Sequence, residues 1–301
     1  MIGQFFQLQD YVSNVQELLH DSSAVTWPTA RVVSRINDAR LDCSLDMQCV
    51  RTLVTGVQLI PGQEAYNISG AVCGATITSG GSNYGAGTTV PITFSAAPMG
   101  GITATATGVL TGGVLTAINM TAWGQGYLTA PTIAIGGIGS GAAASPVTMF
   151  GVLNPMSITY IFNNIRNMLG FLPFSMFQAF MRVFATSTFI STPAKWTIMQ
   201  QANLVYIQPP PNQLYISEWD IVQVARPLVN MTDLDQQVLL PWARGVEFRA
   251  AELLLNKLQN FAQVRAFGLT YDSYVPRIVA GAGGVRIPNP YSRNYQRMVS
   301  R

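Results

Sequence analysis

The chain holds one histidine, three cysteines and fourteen carboxylates in 301 residues, so few groups are available to move protons or hold metals. His20 stands beside Asp21, but no nucleophile is placed near it in sequence. A lone histidine there reads as a helix-end residue interacting with the helix dipole rather than as the base of a triad. Glu247 and Glu252 are five residues apart and do not stack on one helical face. Glu218 and Asp220 point to one side of a strand, where two carboxylates hold a cation only weakly. Cys43, Cys49 and Cys73 are odd in number and match neither a zinc spacing nor a CxxC pair, so they read as buried free thiols. The spans GGIGSG (136–141) and GAGG (281–284) lack the Lys-Ser/Thr and the strand-to-helix context of a phosphate loop and read as turns or linkers. These residues predict no enzyme, no metal and no cofactor.

What remains is recognition. The last 27 residues carry Arg277, Arg286, Arg293, Arg297 and Arg301, interleaved with Tyr291 and Tyr295 and without a single acid. This segment lacks helical periodicity, and Gly283, Pro288 and Pro290 give it the character of an extended arm that orders on a partner. Arg and Tyr are favoured interface anchors, and the shaped spacing fits a protein groove better than nucleic acid, which draws denser charge and more Lys. Tyr84, Trp123 and Tyr127 form a second group. They either stack on sugar rings or receptors at an outer surface, or pack the core of a small β unit.

The elements that position these residues follow from periodicity. Leu8, Tyr11, Val12, Val15, Leu18 and Leu19 predict a helix ending near His20. Thr26 before Trp27-Pro28 predicts a capped second helix with Val32, Val33, Ile36 and Ala39 inward. Arg51 to Ile60, the turn Pro61-Gly62 and Ala65 to Ile68 read as a hairpin. A short helix is predicted from Pro173 to Ala185, with an aromatic stripe facing the core. Strands are predicted at 157–160, 196–200, 204–208 and 215–225, and one long helix at 241–267, with periodicity lost past Gly268.

Hydrophobic residues make up 49% of the chain and charged ones only 10%, which excludes disorder over the whole length and places so poorly charged a surface inside an assembly. Residues 65–165 contain no charged side chain at all. Within this neutral block Ile77 to Ser95 overlays Asn119 to Gly137 at a spacing of 43 residues, matching Tyr84 with Tyr127, which predicts two copies of one β unit. The expected organisation is therefore a discontinuous body at 1–69 and 152–274, an inserted all-β module with two repeats at 70–151, and an extended basic arm at 275–301. The most membrane-like run, Met168 to Ile190, is interrupted by Gly170, Pro173 and Arg182, so no membrane span is expected. The first twenty residues lack a secretory pattern, which predicts synthesis in a cytoplasm.

With the neutral block set aside, the order is helix, the helix of WPTARVVSRINDAR, the segment VTGVQLIPGQEAYNI, a helical stretch, strands at KWTIMQQANLVYIQPPPN and YISEWDIVQVARPL, a long helix and a basic tail. This order resembles the head-to-tail adaptor proteins of short-tailed bacteriophages, also called head completion or tail tubular A proteins. The resemblance rests on Ile36-Asn37-Asp38-Ala39, the hairpin ending at Tyr66 and the IQPPPN turn. It implies an α+β fold, a helical adaptor body with a small sheet, to which the inserted β module and the C-terminal arm are added. It further implies a structural connector at the head-tail junction of a virion: a homo-oligomeric ring of twelve copies around the DNA channel. In that ring the arm from Val275 to Arg301 would dock on the portal protein and the underside would receive tail nozzle or fibre proteins. Genomic DNA would pass nearby without specific contact. The alternative is a receptor- or glycan-binding tail component acting through the β repeats.

Overall fold

The computed structural model describes residues 5–180, 189–238, 242–256 and 261–281. In chain order the helices α1 (Leu8–Leu18) and α2 (Thr29–Met47) lead into β1 (Arg51–Leu59) and β2 (Ala65–Asn67). The neutral block then supplies β3 (Ala71–Ser82), β4 (Thr89–Phe94), β5 (Thr105–Thr111), β6 (Val114–Ala122), β7 (Ile133–Ile135) and β8 (Ser140–Met149). It is followed by β9 (Val152–Phe162), β10 (Ile165–Met168), β11 (Gly170–Phe171), α3 (Phe174–Phe180), β12 (Lys195–Met199), β13 (Leu204–Gln208) and β14 (Tyr215–Gln223). Two helices, α4 (Trp242–Leu255) and α5 (Phe261–Gly281), complete the order.

Among the described residues the chain is mostly β, with 40% strand and 27% helix in four sheets and five helices. This corrects the expectation of a helical body with a small sheet. The alternating apolar segments on either side of the neutral block build two more four-stranded sheets, ordered β1-β14-β9-β10 and β11-β12-β13-β2, instead of one small one. The chain divides into two compact units, Met1–Arg51 with Val222–Arg301, and Thr52–Ile221.

The first unit is helical. Leu8, Tyr11, Val12 and Val15 of α1, Val32, Ile36, Ala39 and Cys43 of α2, and Val246, Ala250 and Leu254 of α4 are buried at three- and four-residue spacing in one core. Thr26 does not cap α2. The Asp21 carboxylate instead accepts the N–H groups of Val25, Thr26 and Trp27 at 3.0, 3.0 and 2.8 Å, and α2 begins just after Pro28. The single long helix is also corrected. It is two helices, and α5 runs back along α4, with Phe248 against Phe267 and Tyr274 at ring distances of 6.2 and 5.8 Å. Gly268 is no terminator, for it lies inside α5 where a β-carbon would stand 3.2 Å from the Glu252 carboxylate. Because α5 reaches Gly281, residues 275–281 are helical where an extended arm was expected to begin.

The second unit is a β structure around one core running from Val54 to Ile221. The expected hairpin of β1 and β2 does not form. The Pro61-Gly62 turn is a corner between sheets, where Gly62 N–H donates to Pro211 O at 2.8 Å, β1 joins β14, and β2 pairs with β13. The strands of the expected inserted module, residues 70–151, pair only with one another, in the ladder β3-β8 and the sheet β6-β5-β4-β7. The two sequence copies become β3-β4-β5 and β6-β7-β8, and each closes on the other, since β5 pairs with β6 and β8 with β3. Their turns match in backbone as well. Asn83 and Gly126, one residue before the paired tyrosines, both take left-handed φ, 62° and 79°.

Hydrogen bonds and rings tie the block to its flanking sheets. Gln58 of β1 donates to Ile118 O and accepts from Met120 N–H, both at 2.7 Å. Trp123 donates to Gln58 O at 2.8 Å and packs on Tyr66 and Trp219 with ring centroids 4.7 and 5.7 Å away. Gly74 crosses β1 so closely that a β-carbon would lie 2.3 Å from Gly56 O.

Candidate functional site

In the helical unit the most ordered polar constellation is a buried ion pair. The guanidinium of Arg40 on α2 holds Asp235 through Nε and one terminal nitrogen, both at 2.8 Å, and its other terminal nitrogen donates to Arg226 O. The remaining acceptor capacity of Asp235 is filled by the Tyr11 hydroxyl at 3.1 Å and the Gln237 and Val238 N–H groups at 3.1 and 3.0 Å. One turn earlier, Asn37 reads the backbone of Leu228 as a strand would, donating to its O at 3.0 Å and accepting its N–H at 2.9 Å. The segment between β14 and α4, which has little regular structure, is thus fastened to α2 by side chains. Burial first, and then the Asp235 carboxylate, drives the Tyr11 phenol far above its usual range. With every group satisfied, this site has the chemistry of a structural lock.

A second constellation borders a cleft of about 180 Å³ lined by Asp46, Arg249, Glu252, Gly268, Tyr271, Asp272 and Val275. Arg249 donates to Asp42 at 2.7 Å and to Glu252 at 2.9 Å, its guanidinium lies 5.5 Å from the Tyr271 ring centre, and the Tyr271 hydroxyl donates to Asp46 at 3.1 Å. Burial alone would lower the Arg249 pKa, but the bonds to the two carboxylates outweigh it and hold the guanidinium more firmly charged than usual. The cluster links α2, α4 and α5.

The residues singled out in sequence separate on inspection. Tyr84, Trp123 and Tyr127 are only 8%, 7% and 4% exposed, which decides between their two readings for the β-unit core and against an outer contact surface. They are core residues because each copy of the β unit needs a ring to fill it. The Tyr127 hydroxyl, for example, donates to Ser95 O at 3.0 Å. The most exposed apolar side chains of the module sit instead in its loops, at Met99, Leu128 and Ile138, a signal that periodicity cannot reveal. In the arm, Arg286, Tyr291, Arg293, Tyr295, Arg297 and Arg301 lie outside the described residues, and Arg277 falls within the backbone of α5.

Glu218 is occupied by the bidentate Arg166 at 2.8 and 3.0 Å, whose hydrogen bonds hold its carboxyl below the usual range. Glu247 is buried and accepts from Asn14 at 2.6 Å. His20 ends α1 with its N–H on Glu17 O at 3.0 Å. Cys43, Cys49 and Cys73 are free, and burial pushes all three thiols up, Cys49 to about 12. Among the described residues no group of three or more His, Cys, Asp or Glu is placed to hold a metal ion, and no helix is long and apolar enough to cross a membrane. No family model matches the chain, and a search of curated proteins finds no match.

Proposed function

We propose that the chain is a structural connector at the head-tail junction of a phage virion. Copies of its helical unit pack side by side into a ring under the portal, the C-terminal arm docks on the portal, and the ring offers a platform to tail proteins. The observation that carries this reading is the place of the motif on which the resemblance rests. In Ile36-Asn37-Asp38-Ala39, Ile36 and Ala39 are fully buried and Asn37 fastens the segment leading into α4 and α5, so these residues organise the unit from which the arm departs. Among the described residues the Arg40–Asp235 lock is fully hydrogen-bonded and burial raises the three thiols, which is consistent with a structural part. The alternative reading, sugar binding by the β repeats, loses its main support because the three aromatics proposed for stacking are buried.

The test is electron microscopy of the full chain mixed with its portal, beside a variant lacking residues 286–301. A closed ring continuous with the portal, with attachment lost in a folded truncation, is the expected result. Undiminished attachment of the truncated chain would remove the arm from the mechanism, and a peripheral spike position would overturn the connector reading.

A further inference from the structure

The outer face of α5 carries a seam of its own. Ala262, Ala266, Leu269 and Ser273 follow one another at spacings of four, three and four residues, the repeat of a helix that packs on another helix. The seam is turned away from Tyr271 and Val275, which are buried in the core of the unit. Ala262 and Ala266 are exposed, and Leu269 is 61% exposed. The hydroxyls along it are already satisfied. Ser273 Oγ donates to Thr270 O at 2.7 Å and Thr270 Oγ1 to Ala266 O at 2.9 Å, so covering the seam orphans neither donor. A large apolar side chain left in water between small ones is a knob beside sockets of its own size class.

The charges beside the seam identify what covers it. Arg265 and Asp272 stand seven residues apart, about 10.5 Å along the helix, and therefore on the same flank of the seam. Both are exposed, and among the described residues neither has an ion-pair partner in its own chain. The opposite flank carries the uncharged Gln263 and Thr270. In an antiparallel pair of identical helices the same flank of each faces the other. A second copy of α5 related by a two-fold axis thus sets Arg265 of each copy beside Asp272 of the other, and both bridges form at once. In that register Leu269 of each copy falls on Ala266 of the other, and Ser273 on Ala262. A slip of seven residues in either direction would oppose Arg265 to Arg265 or Asp272 to Asp272. A parallel pair would face both charges with the uncharged flank. The charges therefore select one orientation and one register.

We propose that the outer face of α5 docks antiparallel on the same face of a second copy of this chain. The two Arg265–Asp272 bridges set the register and Leu269 supplies the apolar contact. The contact is isologous and closes on two copies. It goes beyond the connector reading and does not rest on it. A ring needs contacts between unlike faces, so in that reading the pair belongs to the free chain and opens on assembly.

The test is sedimentation velocity of the full chain over a concentration series up to the millimolar range, which should show monomers and dimers. Asp272→Arg and Arg265→Glu each place like charges at both bridges, and each should weaken dimerisation roughly tenfold. Mixing these two variants should restore it, because only the mixed pair recovers two bridges of opposite charge. A folding defect in either variant would not be repaired by mixing. Ala262→Cys mixed with Ser273→Cys should give a disulfide-linked dimer on oxidation, and either variant alone should not. A chain that stays monomeric throughout the series would overturn the contact. So would association indifferent to both reversals, a mixture that associates no better than its components, or no excess of linked dimer in the mixed cysteine sample. A charge-dependent dimer stands whether or not microscopy with the portal yields a ring, so the two readings fail separately.

Discussion

At the scale of the residue, two buried carboxylates behave in opposite ways. Asp235 is fully satisfied, and Asp235→Asn would leave the Arg40 guanidinium buried without its counter-charge. The expected loss is about 3–5 kcal/mol by urea unfolding, partly recovered when Arg40→Met is added, because the cost belongs mostly to the orphaned charge. A loss under about 1 kcal/mol would show that water reaches the site. Burial holds the Glu247 carboxyl above the usual carboxylate range, against the pull of the Asn14 hydrogen bond and Arg244. For a raised carboxyl the fold favours the protonated form. That contribution is complete below the unfolded pKa and disappears as pH rises through the folded one, so at neutral pH the charged group weakens the fold. Glu247→Gln keeps an acceptor for Asn14 without the charge. Its Tm should exceed that of the parent at neutral pH, and the gap should close as pH falls through the carboxylate range. A gap that does not change with pH would assign the effect to packing.

At the scale of the element, the β module at 70–151 is closed in strand pairing but open in packing and side-chain hydrogen bonds. Its strands form complete ladders among themselves, which is how an inserted module should look. Yet Trp123 fills the space between Tyr66 and Trp219, and Gln58 satisfies its amide on the backbone of β6. Joining Gly70 to Gly151 in place of the block would therefore uncover Tyr66 and Trp219, both now buried. The expected product binds a hydrophobic dye and loses a cooperative thermal transition in its remaining sheets. A dye-negative, cooperatively melting product would show that the flanking sheets pack without the block. The repeat itself was visible at 43-residue spacing, but the exchange of strands between copies was not, because pairing partners are set by where the strands end up rather than by their own alternation.

At the scale of the whole molecule, charge is the informative quantity. The neutral block leaves about a third of the chain without a charged side chain, while the final 27 residues carry five arginines and no acid. A surface with so little charge is poorly suited to remaining uncovered, and a concentrated basic arm is suited to ordering against a complementary partner. The proposed connector uses both features. Portal attachment in this reading relies on the arm, the step that deletion of residues 286–301 probes.

Periodicity alone placed α1, α2, β13 and the inward residues Val32, Ile36, Ala39 and Phe177, because an element that buries one face must repeat its apolar residues at that element's own period. Composition alone marked out the neutral block and its doubled unit. Three things were settled only by tertiary packing. The helix over 241–267 became two helices because Phe248 needs the rings of Phe267 and Tyr274 laid back over it. The hairpin became a corner because β1 and β2 each found a longer-range strand partner. The aromatic trio went inside because the core of each β unit required it. In each case the deciding contact joins residues far apart in the chain, and no local pattern of spacing or propensity contains that contact.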